Sequence, residues 1–115
     1  MADMSNNEVK TAWQGDGTSI FDPVLCEVCY RWFNVPGGTV LDPFAGGSVR
    51  GIVSAFCEMP YTGIELRPEQ VAANTEQLGI VDKGLPLPKW ICGDSANMHN
   101  ILSAGFSADL VFSCP

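Results

Sequence analysis

The chain has 115 residues, 46% hydrophobic and 17% charged, which suits one small globular core and excludes a mostly disordered chain. Thirteen acidic against six basic residues give a net charge of −7, and the basic residues (Lys10, Arg31, Arg50, Arg67, Lys83, Lys89) are scattered, which excludes a clustered nucleic-acid clamp. No apolar run approaches the ~20 residues of a membrane span, and residues 1–8 lack the charged-then-apolar order of an export signal.

Residues 1–18 read as a flexible leader. The five cysteines (Cys26, Cys29, Cys57, Cys92, Cys114) are an odd number without an export signal, so reduced thiols in a cytoplasm are expected. Cys26 and Cys29 have a metal-like spacing, but no second pair follows and His99 stands alone. Zinc sites normally need four ligands, so no metal is expected.

The first helix starts at Asp22 as N-cap with Pro23 in first helical position, and Val24, Leu25, Val28, Trp32 and Phe33 follow at helical spacing. Residues 39–41 form the first expected strand, and the helix over 49–58 shows one apolar face through Val49, Ile52, Val53 and Phe56. Residues 61–65 read as a second strand, and 67–78 as a helix with Pro68 in its first turn and Gly79 past its end. A proline-punctuated connection, 85–88, leads to a third strand at 90–92. A helical turn over 95–102 and a fourth strand at 109–112 follow. Strands alternating with helices predict an α/β fold with parallel strands and flanking helices.

Between the first strand and the second helix lies Asp42-Pro43-Phe44-Ala45-Gly46-Gly47-Ser48. A buried strand that breaks at glycines and resumes as a helix is a nucleotide-shaped turn. It is not a Walker loop, because Gly46 to Gly51 is followed by Ile52-Val53 where lysine and a hydroxyl would stand. The Gly-x-Gly-x-x-Gly dinucleotide fingerprint is absent as well. A carboxylate at the loop disfavours pyrophosphate and suits a cationic ligand without phosphate, such as S-adenosyl-L-methionine. The first three strands each end near an acid (Asp42, Glu65, Asp94), and ligands of open α/β sheets bind at the carboxyl ends of strands.

From about residue 19 to 115 these segments resemble the N-terminal part of the S-adenosylmethionine-dependent DNA amino-methyltransferases, which modify adenine N6 or cytosine N4. The versions of phages and bacteria, some paired with restriction enzymes, are the most similar. The resemblance implies a Rossmann-like methyltransferase sheet, truncated after the fourth strand, with 19–115 as the cofactor-binding part. It implies that Phe21 and Asp22 help hold the methionine moiety, and that Asp42, Pro43, Phe44, Ala45, Gly46 and Gly47 form the cofactor loop, with Asp42 addressing the α-amino group. Glu65 falls where the family binds the ribose hydroxyls, and Asp94 with Ser95 where it meets the adenine amine. Ser113, Cys114 and Pro115 fall where the family's catalytic Asp/Asn/Ser-Pro-Pro-aromatic motif begins.

Two departures stand out. The family's Gly-Ser-Gly is Gly46-Gly47-Ser48 here, and Cys114 precedes the first motif proline where Asp, Asn or Ser is usual. A thiol is a weaker acceptor than a carboxylate or amide, leaving part of the role to the Ser113 hydroxyl or a backbone carbonyl. The resemblance implies a flipped-out base whose exocyclic amine receives the methyl group. DNA is then the partner, contacted mostly through regions outside this chain, with a partner chain or further segment completing the sheet. Two other readings stay open: a methyltransferase of RNA or protein amines, and a non-catalytic cofactor-binding or assembly module that needs a partner.

Overall fold

The computed structural model describes residues 22–113; the expected leader, Phe21, Cys114 and Pro115 lie outside the described residues. Helix α1 (Pro23–Phe33) starts as expected: the Asp22 carboxylate accepts the Val24 N–H at 2.9 Å and the Leu25 N–H at 3.5 Å, satisfying donors that the first turn leaves open. At its other end Asn34 stops the helix. Its amide donates to Gly38 O at 3.0 Å, and its Oδ1 accepts the Val35 N–H at 2.9 Å. The chain thereby turns into strand β1 (Val40–Asp42), buried throughout.

Helix α2 (Val49–Phe56) differs from the expectation of a one-sided apolar face. Val49, Arg50, Gly51, Ile52, Val53, Ser54 and Ala55 are all buried, and the helix ends two residues early. The small residues on its second face make this possible. A Cβ on Gly51 would lie 2.5 Å from the Trp90 ring, so only glycine lets the helix approach β3 so closely. The Ser54 hydroxyl satisfies itself on Met59 O at 2.7 Å. Ile52 and Val53 are fully buried, each worth about 1.5–3 kcal/mol relative to exposure. Glu58, at φ 61, reverses the chain into strand β2 (Tyr61–Glu65).

Helix α3 (Pro68–Glu76) tightens into a 3-10 turn (Gln77–Ile80), so the expected single helix is two pieces. Strand β3 (Lys89–Cys92) follows, then a 3-10 turn (Ser95–Asn97), the short helix α4 (Met98–Ile101) and strand β4 (Leu110–Val111). The sheet is parallel with order β3-β2-β1-β4. Chain order therefore runs one way from β1 through β3 and reverses between β1 and β4, which puts the topological switch point beside Asp42. Tyr30 ties the layers together: its hydroxyl donates to Arg50 O at 2.8 Å, and its ring meets Phe112 edge-on at 5.4 Å. No helix among the described residues is long and apolar enough to cross a membrane.

Candidate active-site crevice

A crevice of about 370 Å³ opens at the carboxyl ends of the strands. Pro43, Phe44 and Gly46 of the loop after β1 form one wall; Ile64, Glu65 and Leu66 form the floor; Gly93, Asp94 and Ser95 form the other wall. Phe44 and Leu66 keep about half or more of their surface open, giving the crevice apolar sides. Six of the expected cofactor residues thus meet in one place: Pro43, Phe44, Gly46, Glu65, Asp94 and Ser95.

The other described candidates stand elsewhere. Asp22 is spent on the α1 cap and does not line the crevice. Ala45 is buried in the core, its N–H donating to Ile64 O at 2.9 Å. Gly47 is exposed but is not part of the lining.

The loop's path is set by donors from the helices behind it. Arg50 Nη2 donates to Phe44 O at 2.9 Å and Ala45 O at 2.7 Å, and Asn74 Nδ2 donates to Gly46 O at 2.8 Å. Three successive carbonyls are therefore held from inside. Gly46 takes φ 59, a left-handed conformation that favours glycine. Asn74 is itself buried and oriented by Gln70, whose Nε2 donates to Asn74 Oδ1 at 2.9 Å. The Ser48 hydroxyl donates to Gln77 Oε1, joining α2 to the turn after α3.

Asp42 differs from the two acids beyond it. Fully buried, it meets its cation inside the protein. Its Oδ2 accepts from Arg50 Nε at 2.6 Å and from the Tyr61 hydroxyl at 2.7 Å; its Oδ1 accepts from the Ser113 hydroxyl at 2.6 Å and Phe44 N at 3.3 Å. Burial alone would lower the Arg50 pKa, but the Asp42 charge outweighs it and holds the guanidinium above its usual value. Burial, reinforced by Asp42, pushes the Tyr61 phenol well above its ordinary value and keeps it a neutral donor.

Glu65 and Asp94 keep an acceptor open. Glu65 Oε2 takes the Arg67 N–H at 2.6 Å, and its Oε1 has no donor among the described residues. Asp94 Oδ1 takes the Ala96 N–H at 2.9 Å, capping the short turn, and its Oδ2 has no donor among the described residues. Ser113 stands at the switch point, where its oxygen also accepts the Phe44 N–H at 3.1 Å.

Loop charge in the sequence marks Asp42 but not Arg50, Tyr61 or Asn74. Arg50 counted as one of six scattered cations; a lone arginine eight residues after the acid, in a helix otherwise free of charge, was the available signal.

No protein-family profile matches the chain. It is 40% identical over 58 residues to the Type II methyltransferase M.XycI of Xanthomonas campestris pv. cyanopsidis, covering 50% of this chain and 19% of that protein. Over 82 residues it is 28% identical to the Type II methyltransferase M.SmaI of Serratia marcescens, covering 65% and 28%. The chain is thus similar, over part of its length, to two Type II methyltransferases. It spans less than a third of the length of either.

Solved structures share the fold. TrmN from Thermus thermophilus superposes with a TM-score of 0.73 at 19% identity, over 92% of this chain and 32% of that one. A SAM-dependent methyltransferase from Agrobacterium tumefaciens gives 0.60 at 17%, over 81% and 30%. A putative RNA methyltransferase, PH1948 from Pyrococcus horikoshii, gives 0.65 at 20%, over 96% and 60%. The fold of this chain is therefore the Rossmann-like methyltransferase sheet, and S-adenosyl-L-methionine is its expected cofactor. The residues present fit that group. Glu65 Oε1 and Asp94 Oδ2 are acceptors without a donor among the described residues, of the kind that hydroxyl and amine hydrogens need, and Phe44 and Leu66 offer apolar surface to a flat ring.

Proposed function

We propose that the chain is the cofactor-binding part of a methyltransferase acting on an exocyclic amino group of a DNA base, adenine N6 or cytosine N4. The observation that carries this reading is the pair of half-open carboxylates, Glu65 on the floor and Asp94 on one wall of an apolar crevice beside the switch point. The similarity to two Type II methyltransferases supports DNA as the acceptor.

The bound cofactor would supply an electrophilic methyl group on a sulfonium, open to in-line displacement. Glu65 would hold the ribose, Asp94 and Ser95 the adenine edge, and the Gly46 segment the amino-acid end. Cys114 and Pro115 would face the target amine, with their backbone and the thiol accepting hydrogen bonds that free the nitrogen lone pair. Recognition of DNA is assigned to surfaces other than this acidic chain, supplied by a partner or a further segment.

Transfer of tritiated methyl groups from S-adenosylmethionine to unmethylated duplex DNA tests the reading, with structured RNA as the parallel acceptor. Label in DNA and none in RNA supports it. The fold shared with PH1948 favours RNA as the second reading, and label in RNA alone would replace the first with the second. Cofactor binding with no transfer to either acceptor would favour a cofactor-binding module that needs a partner.

A further inference from the structure

We infer that Asp42 serves the bound cofactor without touching it: together with Arg50, Asn74 and Ser113 it forms an internal latch that sets the cofactor loop's shape and joins it to the end of β4. This rests on the crevice being the S-adenosylmethionine site proposed above.

The geometry leaves Asp42 no part in direct binding. A carboxylate has about four acceptor positions, and four donors already occupy them at 2.6 to 3.3 Å. An ammonium would have to displace the Arg50 guanidinium from a pair with no solvent exposure on the acid and 8% on the base. Removing one partner from a buried pair is far more costly than an ammonium contact at the crevice would return. The same Arg50 that satisfies Asp42 also holds the carbonyls of Phe44 and Ala45, and Asn74 holds the next one. A planar guanidinium can make these three bonds at once, whereas an ammonium on a flexible stem cannot fix the same directions.

Ser113 extends the latch to the reaction side. Its hydroxyl donates to Asp42 Oδ1 and accepts from Phe44 N, so one oxygen bonds both the acid and the first exposed residue of the crevice wall. The residue after Ser113 is the Cys114 assigned to the target amine. Ser113 is then a positioning residue, its hydroxyl already committed to the loop.

Calorimetric affinities of the full chain for S-adenosylhomocysteine and for its analogue lacking the α-amino group separate the alternatives. Asp42→Asn should weaken both ligands by a similar factor, roughly tenfold to a hundredfold, because the loss comes through the loop. A penalty confined to the ligand with the amino group would show a direct contact and overturn the inference. Ser113→Ala, at a half-buried position, should weaken both ligands several-fold while the circular dichroism spectrum is unchanged, and Ser113→Thr should restore affinity. Failure of threonine to restore it would remove Ser113 from the latch. If the wild-type chain binds neither ligand, the proposed function fails, and amide exchange still decides the latch: Ser113→Ala and Asn74→Ala should both speed exchange across residues 44–47. Unchanged exchange there would refute it.

Discussion

Asp42 and Glu65 end adjacent parallel strands, yet one is sealed in the protein and the other faces the crevice. Register explains the difference. Asp42 lies opposite Gly63, two residues short of Glu65, and Glu65 lies opposite Cys92, two residues short of Asp94. Each step of two residues is about 6–7 Å of strand, so the three acids rise like stairs out of the sheet. The lowest is enclosed by α2 and β4 and must bring its own cation. The upper two each take a local N–H on one oxygen, Glu65 with the Arg67 Nε also 3.8 Å from it, and keep the other oxygen for a ligand. Burial thus separates a carboxylate that builds the site from two that use it.

The sharpest way to break this contrast is to remove the lowest acid. Asp42→Ala leaves Arg50 buried without its charge partner and should cost about 3–5 kcal/mol in urea denaturation. A loss under about 1 kcal/mol would mean the pair is not the keystone described here. Alkaline titration probes the same core. Burial raises the Cys26 thiol from 9.0 to about 12 and Cys57 to about 11, so the folded state holds these protons more tightly than the unfolded state. The thiols' contribution to stability should be constant below about pH 9 and be lost as pH rises toward 12, by on the order of a few kcal/mol. Cys26→Val should flatten that fall.

The upper acids should behave in the opposite sense. Glu65→Ala should weaken S-adenosylmethionine by roughly 1.5–3 kcal/mol, the range for hydrogen bonds to a charged group, with denaturation changed by less than about 1 kcal/mol. Equal affinity in calorimetry would take Glu65 out of the site. Asp94→Asn keeps an oxygen that can cap the turn and should cost only about 1 kcal/mol of affinity, with no loss of stability.

Much of the fold was legible because local signals agreed. The Asp22-Pro23 helix start, the glycine break after β1 and the alternation of strands with helices each appear where expected. The boundaries were less so: β4 is only Leu110–Val111, and the expected helix over 95–102 is a 3-10 turn and one short helix. Residues of the crevice were legible as strand ends, but their depth was not. Whether Asp42 faces a ligand or an arginine depends on which residue of the next strand lies beside it, and that register has no local signature in 42–65. The same limit hid Arg50 and Asn74. A polar side chain turned inward from a helix is recognisable only once the loop carbonyls it meets are in place.

The central claim is that the carboxyl-end crevice holds the methyl donor. Titrating the isotopically labelled chain with S-adenosylmethionine, followed by the backbone amide resonances, tests it most directly. Saturable shifts centred on Gly46, Glu65, Leu66 and Asp94, with little change at Gly37 and Glu58, which line a separate pocket toward the opposite ends of the strands, are the predicted result. Shifts centred on Gly37 and Glu58, or none at millimolar ligand, would contradict the account.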